Sequence, residues 1–260
     1  MTLSPNQLKT EIIYPDSDGK PMAESDPARD YLIYGVETLD IYFQDRDDVY
    51  VSGNLFIYYK KGIPSAVVAP DVFVIFGVEK KKRLSYKVWQ EGNKVPSFVL
   101  EVTSLTTQEN DEEEKPQKYA LLGVQEYFQY DPIGDYLNPR LKGSSLVEGR
   151  YQPIAPNSLS ESISIHSEVL GLDIRLVEGE LRFFEPQTGK KLLSHKETEQ
   201  ARQQAEQARQ QAEQARQQAE QARCDAIPRL LELGLSLEQI AIALSLSVDE
   251  VKRFSNLSVD

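Results

Sequence analysis

Two carboxylates stand inside apolar runs of this chain. Asp71 interrupts VVAPDVFVIFG, and Glu101 interrupts PSFVLEVTS. Taking one ionised carboxylate out of water is unfavourable, and placing two near one another is worse unless a cation neutralises them. A lysine follows, Lys115 in EEEKPQKYALLG, a segment that reads as a helix opening near Lys115 and ending near Gly123. Oxygen donors of this kind suit a hard divalent ion, Mg2+ first and Mn2+ second. Such an ion activates water and stabilises charge developing on a phosphate, so the constellation predicts metal-dependent cleavage of a phosphodiester. Taken singly, either acid is better explained by a pairing with Lys or Arg, or by a strand end facing water. Taken together, with Lys115 following, the metal-site reading is favoured.

The surrounding pattern supplies elements to position these groups. DYLIYGVETLDIYFQ, from Asp30, places Leu32, Val36, Leu39 and Phe43 four, three and four residues apart, which predicts an amphipathic helix. VYVSGNLFIYY, residues 49–59, is rich in β-branched and aromatic residues and reads as a strand. VVAPDVFVIFG is the next strand. PSFVLEVTS is almost continuously apolar and predicts a central strand covered on both faces. EYFQYDP is the last core strand and ends in a proline-marked turn. The order is helix, three strands, helix, strand. Residues 1–27 read as an irregular arm. Residues 136–193, with hairpin signals at VEG and EGE, read as a β-rich extension packed on the core.

At this level of detail the chain resembles a known family. Pro70 with Asp71, EVTS from Glu101, and D-x3-K-x3-Y-x3-GVQEY from Asp111 to Tyr127 closely resemble the Uma-type putative restriction endonuclease family, within the PD-(D/E)XK nuclease superfamily. The resemblance covers roughly residues 10–185. It implies an α/β restriction-endonuclease-like core, a four-stranded mixed sheet flanked by helices. It implies Asp71 and Glu101 as metal ligands, with the backbone carbonyl of Val102 completing the set. Thr103 stands where the superfamily's E-x-K places a lysine. The resemblance moves that role to Lys115 on the helix, with Lys118 one turn on as the fallback, and Tyr119 and Gly123 set the register in favour of Lys115. Pro116 suits a first-turn position. Glu37, on the first helix, matches the place where superfamily members often supply a further acid; a plain surface glutamate is the alternative. The implied activity is an endonuclease that hydrolyses DNA with a metal-activated water.

Composition bounds this reading. The net charge of −12 and pI near 4.8 argue against a nucleic-acid coat protein without excluding a nuclease. EKKKR at 79–83, with Lys87, reads either as a local cationic patch or as a solvated charged turn. The lone Cys224, the absence of an apolar run of about 20 residues and the lack of a signal pattern predict a cytoplasmic protein without a membrane span. His166 and His195 form no triad or zinc pattern, and there is no Gly-rich phosphate loop.

Beyond Ser194 the composition changes. AEQARQQ repeats every seven residues, with alanines at 201, 205, 208, 212, 215, 219, 222 and 226. This is an a/d seam, read either as a coiled coil joining two copies through residues 198–226 or as a solvated spacer helix. Arg202 with Glu206 and Arg209 with Glu213 are spaced to pair along it. Pro228 predicts a break or a change of direction. Two short helices follow in a helix-turn-helix pattern around Ala241, Leu246 and Val251. The second carries Asp249 and Glu250 ahead of Lys252 and Arg253, which favours a packing or protein-binding bundle over a DNA reader. The expected division is an arm (1–27), a nuclease-like domain with its β-rich extension (28–193), an alanine-heptad helix (194–227) and a helical tail (228–260). A second functional reading is a binding or scaffold protein whose nuclease-like core is catalytically weak and which acts through these C-terminal helices.

Overall fold

The computed structural model describes residues 12–17, 25–103, 114–159 and 162–256. Asp111 and most of the expected N-terminal arm lie outside these residues. The chain divides into two compact units, Met1–His195 and Lys196–Asp260.

In the first unit, α1 spans Asp26–Tyr42. It begins four residues before the periodicity predicts, because Ser25 caps it by accepting the Ala28 N–H and Pro27 suits its first turn. Positions 26 and 27 therefore belong to this helix rather than to the arm. Its buried stripe is Tyr34, Gly35, Thr38 and Leu39, while Leu32 and Val36 are only partly buried. Gly35 permits the close approach: a Cβ there would lie 2.8 Å from Val72 Cγ2.

The strands that follow are β1 (Val49–Ser52), β2 (Ile57–Tyr58), β3 (Val67–Val68), β4 (Val72–Phe76), β5 (Tyr86–Lys87) and β6 (Phe98–Val102). Two runs predicted as single strands are each split. The run at 49–59 breaks after Ser52, where Gly53 precedes Asn54 at φ 50°. The run from Val67 breaks at Pro70, which has no N–H for a ladder. The cut pieces β2 and β3 join β5 in a separate sheet of order β3-β2-β5. After β6 come α2 (Lys115–Leu122) and β7 (Glu126–Tyr130). The bounds of α2 agree with the expected ones, and Gly123 at φ 83° closes it as a left-handed cap.

The expected four-stranded mixed sheet is present as β1-β4-β6-β7, antiparallel at the first two pairings and parallel between β6 and β7. It is larger than predicted. β8 (Leu141–Val147) and β9 (Arg150–Pro153) extend it to six strands, in the order β1-β4-β6-β7-β8-β9. Their turn places Glu148 and Gly149 at φ 49° and 78°, the backbone of a tight hairpin. A second sheet, β10 (Asn157–Leu159), β11 (Ser162–Ser167), β12 (Leu172–Val177) and β13 (Glu180–Phe184), turns at Glu178 and Gly179 in the same way.

Strand alternation separates two cores. Val72, Val74, Phe98, Leu100, Val102, Phe128 and Tyr130 face α1 and the second sheet. Phe73, Ile75, Val99 and Tyr127 face the other way, with Tyr119 of α2 and the small sheet. All five residues of β6 are buried, as expected of a central strand.

In the second unit, α3 spans His195–Glu232, followed by α4 (Leu237–Leu244) and α5 (Val248–Asn256). Pro228 lies inside α3, so the helix continues where a break was predicted. Proline in a helix interior costs about 3 kcal/mol. Packing at the helix end offsets this: Ile227, Leu230 and Leu231 join Ile240, Ala241 and Val251 in a small core. Along the repeat, Arg202, Arg209 and Arg216 do not reach forward to the next glutamate. Each turns back to the acid three residues before it, Glu199, Glu206 and Glu213. Helical side chains lean toward the N-terminus, which favours that partner.

Candidate active site

The β4–β6 register pairs Val72 with Leu100 and, carried one residue further, sets Asp71 opposite Glu101. Both belong to the odd-numbered face, the one that α2 covers. Glu101 is fully buried and Asp71 partly so. The Val102 N–H donates to Asp71 Oδ2 at 2.8 Å. The β4–β6 ladder ends at the Val72–Leu100 pair, and Pro70, with no N–H, takes no part in it. The Pro70 carbonyl instead accepts the Asn54 N–H at 2.8 Å, on the β1 side of the strand.

α2 holds Glu101 from above. Lys115 Nζ donates to Glu101 Oε2 at 2.9 Å, and the Tyr119 hydroxyl donates to Glu101 Oε1 at 2.6 Å. Lysine and tyrosine are four residues apart and share one helix face. Lys118, the fallback, points outward and pairs with Glu114 at 2.8 Å. Thr103, at the E-x-K position, is buried, and its hydroxyl pairs with that of Tyr136.

The electrostatics follow from this packing. Burial, then the facing Glu101, push the Asp71 carboxyl well above its ordinary range; Lys115 and the Val102 N–H oppose them. Burial and Glu101 also raise the Tyr119 hydroxyl, which keeps it a neutral donor.

Glu37 is partly exposed on α1, which packs on the opposite face of the sheet. Among the described residues no hydrogen bond or ion pair links it to Asp71, Glu101 or Lys115. Its neighbour Val36 comes closer: a Cβ on Gly53 would lie 2.8 Å from Val36 Cγ2 and would overlap the Asp71 carbonyl oxygen. Gly53 therefore belongs to the site as well, and its place inside a strand pattern is the sequence signal of close backbone approach. Tyr119 is likewise a site residue, and its four-residue spacing from Lys115 is the signal that places both on one helix face.

The cationic patch at 79–83 is largely spent on structure. Arg83 is 5% exposed, forks onto Glu91, and lies 4.3 Å from the Tyr50 ring centroid. Lys80 pairs with Asp40, and Lys81 with Glu79. Two acidic residues of the GVQEYFQYDP run are also structural. Glu126 crosses to Ser167 and to the Glu168 N–H. Asp131 accepts the backbone N–H groups of Ile133, Gly134, Tyr136 and Leu137.

No group of three or more His, Cys, Asp or Glu side chains is placed to hold a metal among the described residues. Two carboxylates and a backbone carbonyl nevertheless form an all-oxygen donor set. Mg2+ commonly takes one or two protein carboxylates and keeps waters or substrate oxygens for the rest. The two opposed acids, one of them raised by burial and by the facing Glu101, fit such an ion.

A family model described as Uma2, putative restriction endonuclease, matches residues 32–178, from α1 through β12. No curated protein matches the chain. No described helix is long and apolar enough to cross a membrane.

Proposed function

Because the chain belongs to the Uma2 family of putative restriction endonucleases, we propose that this nuclease is a metal-dependent endonuclease that hydrolyses DNA phosphodiester bonds. The observation that carries the reading is the convergence of Asp71, Glu101 and Lys115 on one face of the sheet. Asp71, Glu101 and the Val102 carbonyl would hold Mg2+ or Mn2+. When bound, that ion lowers the pKa of water and draws charge from the phosphate. Glu101 fixes Lys115, whose ammonium then orients the attacking water or meets charge on the phosphate oxygens. Tyr119 positions Glu101. Glu37, on α1, remains the candidate for a further acid, as the family resemblance implies.

Cleavage of plasmid DNA with Mg2+ or Mn2+, comparing wild type with Asp71→Ala and Lys115→Ala, tests the assignment. Equal activity in all three would sink it. We also infer that residues 198–226 pair two copies of the chain, since the seam alanines from Ala201 to Ala222 are exposed. The scaffold reading is distinguished by nicking activity that is absent in wild type.

A further inference from the structure

The row that contains the two acids does not stop at Glu101. The β6–β7 register pairs Glu101 with Gln129, and the β7–β8 register pairs Gln129 with Lys142. Directly paired residues share a sheet face, so Asp71, Glu101, Gln129 and Lys142 form one polar line across four adjacent strands. The neighbours of Lys142 confirm its side. Leu141 is buried in the opposite core, and a Cβ on Gly143 would meet Phe128 and Ile165 of that core. Strands lie about 4.8 Å apart, so Lys142 stands about 10 Å from Glu101 along the line.

Lys142 is half-buried and makes no hydrogen bond or ion pair among the described residues. That is unusual company for an ammonium in a chain of net charge −12, where carboxylates are plentiful. Most other cations near the site or in the 79–83 patch are paired: Arg83 with Glu91, Lys80 with Asp40, Lys81 with Glu79, Lys118 with Glu114 and Lys115 with Glu101.

We propose that Lys142 is a phosphate-positioning residue: it binds a backbone phosphate neighbouring the scissile one. This rests on the nuclease reading above. A lysine at this distance contributes register and affinity and carries no base information. It also answers how an acidic chain captures an anionic polymer, since the contact lies beside the site instead of on a separate basic patch.

The test measures binding of a fluorescein-labelled DNA duplex by anisotropy over a series of salt concentrations, together with Mg2+-dependent cleavage, for wild type, Lys142→Ala and Lys142→Arg. In Lys142→Ala, affinity is expected to fall several-fold and the slope of log K against log salt to shrink by about 1. KM rises with little change in kcat, and Lys142→Arg restores both. Unchanged affinity and slope in an alanine variant that still cleaves would overturn the role of Lys142 and leave the nuclease reading standing. A loss in kcat at constant KM, or no rescue by arginine, would equally overturn it. Wild type that neither binds nor cleaves DNA would remove both readings.

Discussion

Lys115 reaches Glu101 from the helix that follows β6, ending 2.9 Å from Glu101 Oε2, and not from the strand that carries the acid. Glu101 is fully buried while Lys115 remains 27% exposed, so the acid depends on the lysine more than the lysine depends on the acid. Replacing Lys115 with alanine leaves a buried carboxylate beside Asp71. Cleavage should fall by about 10²–10³-fold. Stability without divalent ion should fall by about 3 kcal/mol. Thermal melting in chelator, set beside plasmid cleavage, checks both; an unchanged melting temperature contradicts the pairing.

Tyr119→Phe removes one donor from Glu101 and leaves the ring packing on Tyr127 intact. A hydrogen bond to a charged group is worth about 1.5–3 kcal/mol. The expected outcome is a folded protein, about 2 kcal/mol less stable, with kcat reduced about tenfold and KM little changed. Denaturant melts and steady-state kinetics measure the two effects.

Gly53→Ala brings a methyl group onto the Asp71 carbonyl oxygen and to 2.8 Å from Val36 Cγ2. The backbone on one side and α1 on the other leave little room to yield. A stability loss of about 1–3 kcal/mol is expected. Weaker Mn2+ binding by calorimetry should accompany it, because Asp71 shifts. Native-like Mn2+ affinity would show that Gly53 has no part in placing that acid.

Asp131 supplies a pH dependence separate from the site. Burial pushes its carboxyl up, but four backbone N–H donors outweigh that and hold it below its ordinary value. A depressed folded pKa stabilises above the unfolded value, about 3.9, and the benefit is lost as pH falls below that value through the folded one. Asp131→Asn should therefore cost about 1–3 kcal/mol at pH 7 and much less near pH 3. Urea melts at the two pH values decide it; an equal loss at both would assign the effect to packing.

The exposed alanine seam of α3 predicts a two-chain assembly. Light scattering should give the dimer mass for the full chain and the monomer mass for the double variant Ala208→Arg, Ala215→Arg. Alanine buries little apolar area, so the dimer should be weak and concentration-dependent. A monomer at all concentrations would remove the pairing.

Much of this was legible in one dimension because it is local chemistry. Asp71 and Glu101 stand out because charge inside an apolar run is unfavourable wherever the run folds. The start and end of α2 could be read from Pro116 and Gly123, and the hairpin turns from VEG and EGE, since backbone conformation there depends on the residue itself. Pairing was not legible. Nothing local says that Asp71 lies opposite Glu101 or that Gln129 and Lys142 continue the same line; register between strands decides those. The choice of Lys115 over Lys118 was legible through Tyr119 and Gly123, and the helix face that meets the sheet agrees with it. Arg202 had two glutamates within reach, and side-chain direction chose between them. Pro228 reads as a break until the core around Ile227 and Ile240 offsets the cost of continuing the helix through it. The sequence by itself determined which residues could do chemistry and which segments could be helix or strand, because those depend on near neighbours. The tertiary structure alone decided which of them meet, because that depends on contacts between residues far apart in the chain.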